Sequence, residues 1–78
     1  MRVIVRFSVD RERNSALRNA LNAILTGAGF LRGPNTGTYE AVGLTSSQVS
    51  DVTRDFWRRA ATHRGPGRVD HFWMYADA

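Results

Sequence analysis

Met1-Arg2-Val3-Ile4-Val5-Arg6-Phe7-Ser8-Val9-Asp10 is the stretch that decides the fold, because its side chains alternate between two faces. A period of two residues is typical of a β-strand with one buried face, and the β-branched residues favour the same structure. The apolar face consists of Val3, Val5, Phe7 and Val9. The other face consists of Arg2, Ile4, Arg6, Ser8 and Asp10. Two arginines, a hydroxyl and a carboxylate are unusual on a purely structural surface, so this second face is a candidate functional site.

A first helix is predicted after this strand. Its apolar stripe recurs with the helical period and consists of Leu17, Ala20, Leu21, Ile24, Leu25 and Ala28. Asn14 or Ser15 is suited to the N-cap, and Gly27 and Gly29 are suited to the positions where a helix stops. The stripe predicts a helix that covers the apolar face of the first strand.

A hairpin and a second helix follow. Strands 29–33 and 38–42 flank the turn residues 34–37, which include proline, asparagine and glycine. Thr45 with Gln48 three residues later is a capping box, which predicts the start of a helix. The apolar face of this helix is predicted to consist of Val49, Val52, Phe56 and Ala60.

Residues 69–75 predict the last strand, which is rich in aromatic side chains. Both of its faces are bulky, which indicates that helices cover one face and a second copy of the chain covers the other. The alternative is a monomer in which Trp73 or Tyr75 is partly exposed. The resulting order β-α-β-β-α-β predicts an α+β, ferredoxin-like domain spanning residues 1–78, with an antiparallel sheet and two helices on one face.

Composition narrows the class of protein. A chain of 78 residues without cysteine forms one domain and has neither a disulfide nor a thiolate metal site. No apolar run is long enough to span a membrane, and Arg2 and Arg6 interrupt the only candidate leader, so a soluble cytoplasmic protein is expected. The net charge is +4, and all eleven basic residues are arginine. This balance fits a nucleic-acid partner, and equally a GC-rich coding bias.

Over nearly its whole length, the sequence resembles the virulence-associated protein D family and the related small CRISPR-associated nuclease that acts beside the spacer integrase. Residues 7–10 carry the resemblance first, because an aromatic, a polar and an aliphatic residue precede an aspartate there. The other segments that carry it are the helix 14–30 that ends in Gly-Phe, Gly37-Thr38-Tyr39, Leu44-Thr45 with Gln48-Val49, and Val69-Asp70 at the start of the last strand. The resemblance implies a compact homodimer and a metal-assisted ribonuclease or deoxyribonuclease. For this chain the expected activity is that of a weak Mg²⁺-dependent endonuclease, with RNA favoured over DNA. In that family an aspartate from the first strand of each subunit meets its mate across the two-fold axis.

The sequence departs from the family at this aspartate, because the corresponding position is Ser8. Asp10 lies on the same face and is the substitute candidate for catalysis and for Mg²⁺, together with the Ser8 hydroxyl; alternatively, Asp10 caps the first helix. The arginines expected to meet phosphates are Arg2, Arg6, Arg54, Arg58, Arg64 and Arg68. The competing hypothesis is a non-catalytic protein-interaction or regulatory module, for example from a phage or mobile element, with an unknown protein partner.

Overall fold

The elements form in the predicted order in a computed structural model, which describes residues 1–34 and 37–77. They are β1 (Arg2–Asp10), α1 (Ala16–Gly27), β2 (Leu31–Arg32), β3 (Thr38–Ala41), α2 (Ser46–Thr62) and β4 (Arg68–Asp77). The four strands form one antiparallel sheet in the order β2-β3-β1-β4. The chain is therefore α+β with the ferredoxin-like order, as predicted.

The first strand is central because β3 pairs with one of its edges and β4 with the other. Val3 and Val5 are fully buried and Phe7 is nearly so, whereas the side chains between them point to the opposite face. Leucines from α1 and Val52 and Phe56 from α2 complete the same apolar cluster. The alternation of the first ten residues thus correctly separates a covered face from an open one.

Local signals place the helix starts. The Thr45 hydroxyl accepts a hydrogen bond from the Gln48 backbone amide, and the Gln48 side chain accepts one from the Thr45 amide, which confirms the capping box. In front of α1, Ser15 occupies the N-cap position and the Asn14 side chain accepts a hydrogen bond from the Ala16 amide. The alternative role of Asp10 as the cap of α1 is therefore wrong, because the helix begins six residues after it.

Two strands differ in length from the prediction. The strand expected at 29–33 is reduced to Leu31–Arg32, since Gly29 has a φ of 99° and Phe30 turns into the core. The last strand extends beyond 69–75 to Arg68–Asp77 and lies at the edge of the sheet. Part of the turn expected at 34–37 lies outside the described residues. None of the helices within 1–34 and 37–77 has the length and apolarity needed to cross a bilayer.

Candidate functional site

A β-bulge in β4 forms the centre of the candidate site. Ser8 of β1 lies opposite His71, but the next residue, Val9, lies opposite Val69. Asp70 is therefore an extra residue on β4 that has no partner in the register. Neighbouring residues of a regular strand point to opposite faces, and a bulge re-aims a side chain locally. In this way both Asp70 and His71 reach the Ser8 side chain on the open face.

Ser8, Asp70 and His71 form a hydrogen-bonded cluster. The Ser8 hydroxyl donates to Asp70 Oδ1 at 2.5 Å, and His71 Nδ1 lies 3.2 Å from Asp70 Oδ2. His71 Nδ1 also lies 3.5 Å from Ser8 Oγ. The Asp70 side chain is 35% exposed and the His71 side chain 83% exposed, so the cluster opens to solvent. Because the carboxylate bridges the other two groups, Asp70 fixes their positions relative to each other.

The electrostatics of Asp70 favour its ionised form. The hydrogen bond from Ser8 lowers the pKa of the Asp70 carboxyl below its ordinary value, partial desolvation opposes this effect, and His71 adds to the lowering. An ionised carboxylate only accepts hydrogen bonds, so the Nδ1 atom of His71 carries the proton directed at Asp70. In the neutral ring this leaves Nε2 as the acceptor, which is the form suited to proton abstraction.

The cluster borders an open groove of about 560 Å³ on the sheet face. Arg6, Ser8 and His71 line the groove, and Trp73 lies directly across the strand pair from Arg6. Trp73 and Tyr75 are 50% and 45% exposed, and their rings stack in parallel with centroids 6.2 Å apart. The groove thus combines a guanidinium, an aromatic platform and a histidine ring within one surface.

Asp10 is the residue that the sequence suggests for catalysis and for Mg²⁺. It makes no contact with Ser8, Asp70 or His71 among the hydrogen bonds and ion pairs of the described residues. Its carboxylate is 3.8 Å from Arg11 Nε, and its partner in the register is Arg68. Within residues 1–34 and 37–77, no group of three or more His, Cys, Asp or Glu side chains could hold a metal ion. The Arg11 guanidinium opposes a further cation at this carboxylate, and Mg²⁺ prefers an octahedron of oxygen ligands. On one chain, Asp10 therefore offers a single carboxylate, and its roles in catalysis and in Mg²⁺ binding stay predictions.

The six candidate arginines do not share one surface. Arg2 and Arg6 lie on the open sheet face, where the Arg2 guanidinium pairs with Glu40 at 2.6 Å. Arg54 and Arg58 are exposed on α2, which covers the other face of the sheet, and Arg54 pairs with Asp51 and Asp55.

The other two arginines lie near the start of the last strand. Arg64 is in the loop before β4, and Arg68 is the first residue of that strand. Of the six, only Arg6 lines the groove.

Sequence reasoning identified Ser8 but missed Asp70 and His71. Adjacent residues in a predicted strand are expected on opposite faces, so nothing in the pattern indicated that both would contact one hydroxyl. The available signal was the pairing of a carboxylate and an imidazole next to each other in a strand opposite a serine. The bulge that makes use of this pairing depends on the register between β1 and β4, which the sequence pattern does not determine.

Comparisons of the chain with protein-family models, with curated proteins and with solved structures found no match. The site is therefore interpreted from its own geometry.

Proposed function

We propose that this chain binds single-stranded nucleic acid on the open face of its sheet. The observation that carries the proposal is the arrangement of Arg6, Trp73 and Tyr75 along neighbouring strands. Proteins that bind single strands combine cations for the phosphates with exposed aromatic rings on which bases stack. A half-exposed pair of parallel rings beside a guanidinium has this composition.

The charge of the open face supports contacts with a few phosphates rather than with many. Glu40 offsets the charge of Arg2, whereas none of the ion pairs among the described residues involves Arg6. Arg6 is thus the cation that the groove offers to a phosphate. Affinity would then depend strongly on the stacking of bases on the aromatic rings. Each stacked base contributes about 1–3 kcal/mol of binding free energy, and any base can stack in this way.

The proposal includes a second copy of the chain at β4. This ten-residue strand lies at the edge of the sheet and pairs with β1 on one side only. A long edge strand presents unpaired backbone groups and is a template for another strand. Pairing two β4 strands about a two-fold axis would join the sheets and leave Arg6 and Trp73 of both copies on one continuous face. Sedimentation equilibrium at micromolar concentration tests this assembly; a monomer of 8.7 kDa contradicts it.

Binding is tested by fluorescence polarisation of a labelled single-stranded oligonucleotide at low salt. We expect Trp73→Ala to weaken binding by about tenfold or more, the loss that corresponds to one stacked base. Trp57→Ala is the matched control, because Trp57 is similarly exposed, at 42%, but lies on α2 on the helix side of the sheet. Equal binding by both variants, or no binding by the natural chain, contradicts the proposal. A dimer that binds no nucleic acid would instead favour the protein-interaction module.

A further inference from the structure

We propose that the groove beside Ser8, Asp70 and His71 cleaves RNA by internal transesterification without a metal ion, with His71 Nε2 as the atom that moves the proton. This inference rests on the proposed function, because the same groove must first hold a single strand. It assigns catalysis to His71 instead of Asp10. It also assigns Ser8 and Asp70 a positioning role.

The first step of the argument is the orientation of the imidazole. The Asp70 carboxylate lies 3.2 Å from Nδ1 of His71, and the Ser8 hydroxyl fixes the other oxygen of that carboxylate at 2.5 Å. A carboxylate that engages one ring nitrogen sets the tautomer and leaves the second nitrogen available for proton transfer. The ring is exposed and lines the groove, so a bound strand can reach it.

The second step concerns the groups on either side of the imidazole. Arg6 and Trp73 face each other across β1 and β4, two residues along from the Ser8 and His71 pair. Residues two apart on a strand share a face and are about 6.5–7 Å apart, which is close to the spacing of neighbouring nucleotides in a single strand. A base stacked on Trp73 would therefore place its phosphate near Arg6 and its ribose near His71.

The chemistry requires only these groups and the RNA itself. His71 Nε2 takes the proton from a ribose 2′-hydroxyl, and the 2′-oxygen forms a bond to the adjacent phosphorus. The bond from phosphorus to the 5′-oxygen of the next nucleotide breaks, and the imidazolium returns the proton to that departing oxygen. The products are a 2′,3′-cyclic phosphate and a 5′-hydroxyl, so no water, metal ion or further reactant is consumed. Arg6 stabilises the charge on the non-bridging phosphate oxygens.

The same argument selects RNA over DNA. The nucleophile is the 2′-hydroxyl of the substrate, and a deoxyribose strand lacks it. DNA of the same sequence should therefore bind in the groove and remain intact. Substituting one deoxyribonucleotide in an RNA strand should abolish cleavage at that linkage and leave binding unchanged.

The experiment compares variants of the full chain on a labelled single-stranded RNA in the presence of EDTA. His71→Gln should lower the cleavage rate at least about 100-fold, the lower end of what a positioned acid–base group contributes. His63→Gln is the matched control, because His63 is the other histidine and contacts the Pro66 carbonyl beyond α2. Preparations of both variants carry the same risk of a contaminating nuclease. A difference between their cleavage rates is therefore caused by this chain.

Asp70→Asn tests the positioning role, since it should lower kcat and leave KM unchanged if Asp70 only orients the imidazole. Cleaved ends that carry a 2′,3′-cyclic phosphate support the proposal. Equal cleavage by His71→Gln and the natural chain overturns it, as does cleavage that EDTA abolishes. Binding of RNA without cleavage also overturns it but leaves the proposed function intact. Absence of binding overturns both.

Discussion

The Ser8 hydroxyl donates a 2.5 Å hydrogen bond to Asp70, the one residue of the β1–β4 pairing that the bulge leaves without a partner in the register. A bulged residue would otherwise present its side chain to solvent with no fixed neighbour. Here the serine orders the carboxylate, and the carboxylate in turn orders His71. The opening strand thus acts on the last strand through a single hydroxyl group.

Ser8→Ala should raise the pKa of Asp70 toward the ordinary value for aspartate, because the Ser8 hydrogen bond is the largest cause of its lowering. NMR titration of the Asp70 carboxyl carbon measures this change directly. A depressed pKa stabilises the fold above the pKa of the unfolded chain, and this contribution is lost as the pH falls through the folded value. The natural chain and Ser8→Ala should therefore differ in stability near neutral pH and converge in acid. If Asp70 titrated identically in Ser8→Ala and in the natural chain, the Ser8–Asp70 hydrogen bond would be contradicted.

Ser8→Asp should create a binding site for a divalent cation. The new carboxylate would lie beside that of Asp70 and near the imidazole of His71, which is a set of ligands suited to Mn²⁺. Without metal, the two like charges should destabilise the fold and raise the pKa of one of the carboxyls. With Mn²⁺ at about 100 times its dissociation constant, Tm should rise by about 10–20 °C.

The control for this variant is Ser8→Asn, which has nearly the same shape and no charge. It should show little response of Tm to Mn²⁺, and so should the natural chain. Equal rises for Ser8→Asp and Ser8→Asn would mean that the ion binds elsewhere.

Phe56→Ala should destabilise the protein by about 3–5 kcal/mol, which is a large part of the stability of a small domain. Phe56 is 1% exposed, and its ring lies 5.2 Å from Phe7 and 4.9 Å from Phe72, measured between centroids. It therefore joins α2 to both strands of the candidate site. Urea denaturation followed by circular dichroism measures the loss. Trp57→Ala should lower the free energy of unfolding less than Phe56→Ala does, because the Trp57 ring is 42% exposed. A larger loss of stability in Trp57→Ala would contradict the central place of Phe56 in the core.

Gly67→Ala should destabilise the protein by about 1–3 kcal/mol. Gly67 has a φ of 113°, and an added Cβ atom would lie 2.9 Å from Cβ of Glu12. The strain would act at the residue just before β4, close to the bulge. Gly27→Ala is the control, since Gly27 is the last residue of α1 and an added Cβ meets nothing within 4 Å. It should stabilise by about 0.4–1 kcal/mol, and thermal unfolding of the two variants distinguishes these signs.

The fold could be predicted from the sequence because local signals and the core agree. Val3, Val5 and Phe7 alternate with exposed residues, and Thr45 with Gln48 marks the start of α2. Of the candidate site, the alternation of β1 could predict Arg6 and the hydroxyl group of Ser8. The partners of that hydroxyl group depend on a one-residue slip between two strands that are more than fifty residues apart along the chain, and such a slip follows from tertiary pairing rather than from local periodicity.

The charge on the groove predicts the salt dependence of binding. Six arginines that each met a phosphate would give a slope of about −4 to −5 for log affinity against log salt. The structure separates them, so we expect a much shallower slope. Arg6→Gln should flatten it by about 0.7, the value for one phosphate contact on a single strand. Arg58→Gln is the control, because Arg58 follows the buried Phe56 by two residues and so points away from the sheet.

Fluorescence polarisation of a labelled single strand over a series of salt concentrations gives the three slopes. The natural chain and Arg58→Gln should have the same slope, since α2 lies on the side of the sheet opposite the groove. A slope that flattens equally in both variants would mean that the strand wraps around the domain or binds along the helix. A slope unchanged by Arg6→Gln would remove Arg6 from the interface, and with it the guanidinium that the proposed cleavage of RNA requires.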